Sequence, residues 1–234
     1  MISKTAMIPL VKAGAWSEVE AALAGNPKLL GVKDDKGRNW LHLCCGVDYQ
    51  TKGVDAQDLI RTAKVLLKAG IDINQEAFRE GNFRATPLWY SVSHGRNLAL
   101  AQYLLEQGSD PNHCLFAAAW NEDPEAIRLL IRNGADINGD DDDPPFLGAI
   151  QWSKFAAAEE LLKLGSDVNF QDSKGMTALH YMLKKGSEKR HIQMLIKYGA
   201  RGDIPNANGD TAAEIMMRKK DPEFRTLAGL LGKA

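Results

Sequence analysis

Pairs of apolar residues recur along this chain, and each pair is followed by a glycine and a short polar segment. The pairs are Leu66-Leu67, Leu104-Leu105, Leu129-Leu130, Leu161-Leu162 and Leu195-Ile196. The apolar positions from Ile127 to Ile131 have the spacing that buries one face of a helix. The glycine after each pair suits the left-handed residue that ends many helices. The pattern therefore predicts short amphipathic helices that end at recurring glycines.

The polar segment after these glycines is a repeated phrase of glycine, any residue, aspartate, any residue and asparagine. It begins four times, at Gly70, Gly108, Gly134 and Gly165, and a degenerate fifth copy begins at Gly199. Successive glycines are 38, 26, 31 and 34 residues apart. Aspartate and asparagine side chains can turn a chain by bonding to its backbone. Self-similarity at this period predicts an array of stacked repeats.

Helix starts are also marked in the sequence. A cap residue precedes proline at Thr86-Pro87, and cap, proline and acid follow one another at Asp123-Pro124-Glu125 and Asp221-Pro222-Glu223. A capping oxygen accepts a hydrogen bond from a free N–H, and proline fits where the first N–H has no partner. These signals predict two short helices in each repeat.

Three segments resemble the Thr-Pro-Leu-His phrase that opens an ankyrin repeat: those starting at Asn39, Thr86 and Thr177. The resemblance covers nearly the whole chain and divides one ankyrin-repeat domain, 1–234, into units near 1–33, 34–74, 75–112, 113–138, 139–169, 170–203 and 204–234. It implies an all-α solenoid of stacked antiparallel helix pairs with short turn fingers. The concave side of such a solenoid carries the turns and the first helices.

The chain departs from the family pattern in three places. The second unit carries roughly ten extra residues compared with the family period. They include Gly46 to Asp55, which are polar and contain glycine, and so predict a loop. The projecting finger is missing where Asn112 runs directly into His113. The fifth unit has the acidic run Asp140, Asp141, Asp142 and Asp143 in the place of its finger.

Composition excludes some classes of function. The chain has 234 residues and a formal net charge of −1, which gives no support for a nucleic-acid partner. It lacks a long apolar run and a convincing signal peptide, so no membrane partner is expected. Three cysteines predict a reducing compartment rather than a disulfide scaffold, with the cytoplasm as the default. We expect a monomer without a cofactor.

The cysteines and histidines have structural interpretations. Cys44 and Cys45 fall on small positions of a first helix, where buried cysteines act as small apolar residues, and Cys114 is interpreted in the same way. In the family resemblance, His42 and His180 tie one unit to its neighbour. No phosphate-binding loop and no catalytic or metal-ligand spacing is present. The repeats also use nearly every residue, so we expect no enzyme.

Candidate contact residues fall near the ends of the first helices. Trp120 and Trp152 take equivalent places in neighbouring units, with Asn121 and Gln151 beside them. The tryptophans could contact a partner, since tryptophan is enriched in binding hot spots, or could fill the gap left by the missing finger. The remaining candidates are charged residues of the same surface, acidic in the middle at Asp140 to Asp143 and basic toward the C-terminus at Lys184, Lys185, Arg218 and Lys219.

The family resemblance implies a non-catalytic module that binds a protein partner on its concave face, as a scaffold, adaptor or inhibitor. An alternative is a secreted effector or immunity-type protein that acts on a foreign protein. A weaker alternative is metal or small-molecule binding at the acidic run, although the spacing of an EF-hand loop is absent. The sequence identifies no cofactor, no metal ligand and no catalytic residue.

Overall fold

A computed structural model describes residues 2–80, 83–139 and 144–231. The acidic run Asp140 to Asp143 lies outside the described residues, so its predicted role stays a prediction from the sequence.

The fold is all-α, as predicted, and short helices follow one another along the chain. Two of the helical turns are irregular, a 3-10 turn at Pro27–Gly31 and a π turn at Ser91–Gly95. The α-helices are α1 Lys4–Lys12, α2 Trp16–Gly25, α3 Trp40–Cys45, α4 Tyr49–Lys52, α5 Ala56–Lys68, α6 Pro87–Tyr90, α7 Leu98–Glu106, α8 Leu115–Trp120, α9 Pro124–Arg132, α10 Pro145–Gln151, α11 Phe155–Lys163, α12 Ala178–Lys185, α13 Lys189–Lys197, α14 Ala212–Met217 and α15 Pro222–Leu230.

The helices begin at the residues that the sequence marks. Thr86 Oγ1 accepts a hydrogen bond of 3.2 Å from the Trp89 N–H at the start of α6. Asp123 caps α9 and Asp221 caps α15, each through a side-chain oxygen that accepts a backbone N–H. These bonds satisfy donors that a helix start otherwise leaves free. The predicted cap and proline signals are therefore confirmed.

The repeated Gly-x-Asp-x-Asn phrase turns the chain and also links successive repeats. In the copy at Gly165, Asp167 Oδ1 accepts the Asn169 N–H at 2.8 Å, which confirms the predicted side-chain turn. The Asn169 side chain then accepts the Arg201 N–H at 2.8 Å and donates to the Gly199 carbonyl at 3.2 Å. The asparagine of each such phrase can therefore hold the next turn in register.

The chain divides into two compact units. The first contains residues 1–118 and 128–135, and the second contains residues 119–127 and 136–234. Fully buried leucines such as Leu41, Leu66 and Leu104 form the core of the first unit. Phe146 and Leu195 belong to the core of the second. Leu66, Leu104 and Leu195 belong to the apolar pairs that the sequence marks, so their predicted burial is confirmed.

The insertion Gly46 to Asp55 is not wholly a loop, so that prediction is wrong in part. Asp48 caps a short helix, α4, by accepting the Thr51 N–H at 3.3 Å, and Gly53 ends it with φ +64°. The insertion is also anchored to the core, because Val47 is buried. A polar segment of this kind becomes helical when it contains both a cap residue and a glycine that can adopt a left-handed conformation.

The fingers differ between repeats. Strands β1 (Arg79–Glu80) and β2 (Phe83–Arg84) pair in an antiparallel hairpin at the start of the third repeat. The fourth repeat has no finger, as predicted: His113 adopts φ +65° and α8 begins at Leu115. The short turn leaves no room for a hairpin at that position.

Candidate partner-binding surface

The two tryptophans singled out in the sequence contact each other on the surface of the second compact unit. Trp120 is the last residue of α8, and Trp152 directly follows α10. Their ring centroids are 5.0 Å apart and their planes meet at 78°, an edge-to-face arrangement. Trp120 is 55% exposed and Trp152 is 37% exposed. The rings therefore form one apolar patch of which much remains open to solvent.

The exact register of this pair differs from the prediction. The turns after α8 and α10 each contain one left-handed residue, Glu122 with φ +50° and Ser153 with φ +60°. Trp120 and Gln151 each lie two residues before the left-handed residue of their turn, so they correspond to each other. Asn121 and Trp152 each lie one residue before it, so they correspond to each other. The two tryptophans are thus offset by one position. The left-handed residues fix this register. Neither of them is glycine, the residue that usually signals a left-handed conformation, so the sequence does not reveal where the two turns lie.

Asn121 and Gln151 flank the tryptophans, and both are partly buried. The backbone carbonyl of Gln151 accepts a hydrogen bond from the Lys185 ammonium group, which also donates to Ser153 Oγ at 3.0 Å. Lys185 therefore links the end of α12 to the turn that carries Trp152. Lys185 is therefore in direct contact with the turn that follows the tryptophan Trp152.

The basic candidates occupy matching places in their repeats, as predicted. Lys184 lies seven residues after the cap residue of α12, and Arg218 lies seven residues after that of α14. We call the set at these ends the helix-end row, which consists of Trp120, Asn121, Gln151, Trp152, Lys184, Lys185, Arg218 and Lys219. Every member belongs to the second compact unit.

Not all of the positive charges in the helix-end row are equally available. Arg218 pairs with Asp210 at 2.9 Å, and Lys219 lies over the ring of Phe224 at 5.8 Å. Lys184 and Lys185 are exposed, and neither forms an ion pair with a carboxylate in the described part of the chain. Lys184 is therefore the most available positive charge of the row, whereas the Lys185 ammonium group already donates to Gln151 and Ser153.

One contact of the row was not foreseen from the sequence. The ammonium group of Lys154 lies 5.4 Å from the centre of the Trp120 ring, at cation–π distance. Lys154 directly precedes α11, in the turn after Trp152. Neither residue type nor spacing marks this lysine in the sequence, because the contact joins residues more than thirty positions apart.

The two histidines His42 and His180 in the first helices hold neighbouring repeats together. His42 Nδ1 lies 3.2 Å from the Asn39 N–H, and His42 Nε2 lies 3.1 Å from the Ala85 carbonyl in the next repeat. His180 makes the same pair of contacts, with the Thr177 N–H and the Asp210 carbonyl. Burial lowers the pKa of His42 to about 4. The predicted linking role of both histidines is confirmed.

All three cysteines are buried, as expected for small core residues. Burial raises the pKa of the Cys44 thiol to about 12, and the pKa values of Cys45 and Cys114 are also raised by burial. The thiolate is the nucleophile and metal ligand of cysteine, so these thiols are unreactive in the folded chain. Among the described residues, no group of three or more histidine, cysteine, aspartate or glutamate side chains has the geometry of a metal site.

Comparison with known proteins decides the family. The model for ankyrin repeats, described as three copies, matches residues 54–141 and 146–224, which is more than half of the chain. This chain belongs to the ankyrin-repeat family. The human ASB11 ankyrin repeat domain has the same fold, with a TM-score of 0.70 at 20% identity over 100% of both chains.

Two relatives are similar to most of this ankyrin-repeat chain. The probable 26S proteasome regulatory subunit p28 of Saccharomyces cerevisiae is 26% identical over 88% of this chain and 91% of its own length. The ankyrin repeat and KH domain-containing protein mask-1 of Caenorhabditis elegans is 25% identical over 88% of this chain, which spans only 8% of mask-1. In the described part of the chain, none of the helices has the length and apolar character that would carry it through a bilayer.

Proposed function

We propose that this chain is a non-catalytic protein-binding module and that the helix-end row contacts a folded protein partner. The observation that carries the proposal is the edge-to-face pair of Trp120 and Trp152, of which 55% and 37% respectively stay exposed. Ankyrin-repeat proteins bind protein partners, and the family places first helices and turns on the concave, partner-binding side. We assign the helix-end row to that side.

The tryptophan pair has the properties of a binding hot spot. Tryptophan is enriched among residues whose truncation costs an interface about 2 kcal/mol or more, and such residues cluster near the centre of a contact. Each ring here orients the other, so less side-chain freedom remains to be lost on binding. A rigid surface meets a partner with a smaller entropic cost than a flexible one.

Charge sets the expected chemistry of the partner. Lys184 and Lys185 extend the row beyond Trp152, and no described carboxylate neutralises them. A partner that presents acidic groups beside an apolar patch would complement this arrangement. Complementary charges act mainly on the rate of association, so binding at this end of the row should weaken as salt rises.

The yeast relative suggests the first class of partner to test. It is described as a probable 26S proteasome regulatory subunit, and the similarity extends over nearly the full length of both chains. We infer that a subunit of a large protein assembly of this kind is the first candidate partner. The chain would then act as a scaffold, adaptor or inhibitor within that assembly.

Affinity capture with matched variants tests this proposal. The baits are the wild-type chain, a double variant carrying Trp120→Ala and Trp152→Ala, and the control Trp16→Ala. Trp16 is 39% exposed but lies at the start of α2, outside the helix-end row. Quantitative mass spectrometry should find partners that the wild type and the Trp16 variant retain and that the double variant loses. Equal recovery by all three baits would refute the assignment of the row.

A further inference from the structure

A groove opens in the first compact unit, in a place that the repeat pattern does not predict. Its volume is about 620 Å³, within the range of about 300–1,000 Å³ that ligand-binding clefts have. The groove is lined by the ends of α1 and α3, by the insertion and by the π turn. All of its lining residues belong to the first compact unit, so it is separate from the helix-end row.

The insertion builds one wall of this groove. Val47, Asp48, Lys52 and Val54 all line it, and they come from the segment around α4 that exceeds the family repeat. None of the α4 residues is buried in the core. The short helix therefore contributes to the groove surface rather than to the packing of the repeats.

The π turn also contributes to the lining of this groove. A π turn adds one residue to a helix, and such turns occur frequently at functional sites. Here Gly95 packs so closely on the preceding repeat that an added Cβ would lie 2.1 Å from the Cys45 carbonyl oxygen. His94 of the π turn and Tyr90, the last residue of α6, both line the groove, with their ring centroids 5.2 Å apart. Two deviations from the repeat, in neighbouring repeats, thus line the same space.

The charges around the groove are predominantly positive. Lys12 and Lys52 line it, are exposed, and form no ion pair with any described carboxylate. Arg38 also lines it, but pairs with Asp34 at 2.7 Å. Burial lowers the pKa of His94, and the positive charge of Arg38 lowers it further.

The lining contains fewer carboxylates than positively charged groups. Asp48 is the carboxylate that lines it, and one of its oxygens accepts the Thr51 N–H of α4. Lys12 and Lys52 thus line a groove whose apolar floor consists of Leu43, Val47 and the Tyr90 ring, each less than a tenth exposed. An anionic group next to an apolar side chain would complement this lining.

We propose that this groove binds an acidic peptide segment of a protein partner, with a glutamate or aspartate opposite Lys12 and Lys52 and a neighbouring apolar side chain against Val47 and Tyr90. Charge-assisted hydrogen bonds from ammonium groups to a carboxylate are stronger than neutral ones, so they would select acidic segments. The inference does not rest on the helix-end row. It assigns a recognition role to an insertion that the repeats do not need.

Two immobilised pools of short synthetic peptides test this inference with the full chain. Both pools have randomised positions drawn from apolar and small polar residues. One pool has glutamate at two fixed positions and the other has glutamine at the same positions. The wild-type chain should bind the glutamate pool about tenfold more tightly, a difference of about 1.4 kcal/mol. Equal binding to both pools, or no binding to either, would overturn the proposal.

Charge-reversal variants connect the binding to the groove. Lys52→Glu should lower affinity for the glutamate pool by about tenfold, and adding Lys12→Glu should abolish the preference over glutamine. Lys28→Glu makes the same change of net charge in the same compact unit, at an exposed residue that does not line the groove. An equal loss in the Lys28 variant would show that only overall charge matters. Trp120→Ala should leave this binding unchanged, which separates it from the proposed function of the row.

Discussion

His42 should make the stability of the chain depend on pH between about 5 and 7.5, and the size of the effect follows from its burial. The side chain is fully buried and bridges Asn39 to Ala85 in the next repeat. Burial lowers its pKa to about 4, compared with about 6.5 in an unfolded chain. Between these two values the unfolded chain binds a proton that the folded chain does not, so stability falls as pH falls.

The free energy of unfolding should fall by about 2 kcal/mol between pH 7.5 and pH 5. At pH 5 the His42 imidazole of the unfolded chain, with a pKa near 6.5, is almost fully protonated, whereas that of the folded chain is mostly neutral. This contribution is fully present above the unfolded pKa and is lost progressively as the pH approaches about 4. A shift of one unit in the folded pKa changes the result at pH 5 only slightly. The loss of stability at pH 5 therefore follows from keeping the His42 imidazole neutral in the core.

Urea unfolding at the two pH values, for the wild type and His42→Gln, measures this effect. Glutamine cannot take up the proton, so the pH-dependent loss should shrink by about 2 kcal/mol even though the variant is less stable at neutral pH. His94→Gln is a comparison variant: burial also lowers the His94 pKa, but its side chain is exposed whereas that of His42 is fully buried, so its removal should change the pH dependence less. If the wild type and His42→Gln lose stability equally at pH 5, then burial of a neutral His42 is refuted.

Three further predictions concern the departures from the repeat. Gly95→Ala should destabilise the chain by about 1–3 kcal/mol in chemical denaturation, because its Cβ would overlap the Cys45 carbonyl, whereas Gly25→Ala, with open space around it, should be neutral or stabilising. Replacing Tyr49–Lys52 by a short glycine-serine link should preserve a cooperative helical fold by circular dichroism, since no α4 residue is buried; loss of cooperativity would show that the insertion is structural. Changing Asp140 to Asp143 into asparagine should slow association with a captured partner and reduce its salt dependence in stopped-flow kinetics, and an unchanged rate at low salt would exclude this run.

Much of the fold could be predicted because residues that start and end helices recur in the repeats. The Gly-x-Asp-x-Asn phrase and the caps at Thr86, Asp123 and Asp221 act through local bonds, which depend on residues close in sequence. The link from Asn169 to the next repeat was not predicted. Such a bond joins residues far apart in the chain, and the short phrase alone does not reveal it.

The details of the candidate sites were harder to predict, for physical reasons. The tryptophans were found, but their one-residue offset depends on the left-handed conformations of Glu122 and Ser153, which are not glycine. The groove depends on an insertion and on a π turn at Ser91–Gly95. Both are departures from the repeat pattern, so comparing one repeat with the next does not predict them. A polar insertion predicts a loop on composition, while its cap and terminal glycine favour the helix that forms.

The affinity of a captured partner for the tryptophan variants is the most direct test of the central claim, that the helix-end row is the partner-binding surface. Calorimetric titration should show that Trp120→Ala with Trp152→Ala weakens binding by about 2 kcal/mol or more, roughly thirtyfold. The control Trp16→Ala should leave the dissociation constant within about twofold. The account is contradicted if the double variant binds as tightly as the wild type, or if Trp16→Ala costs as much.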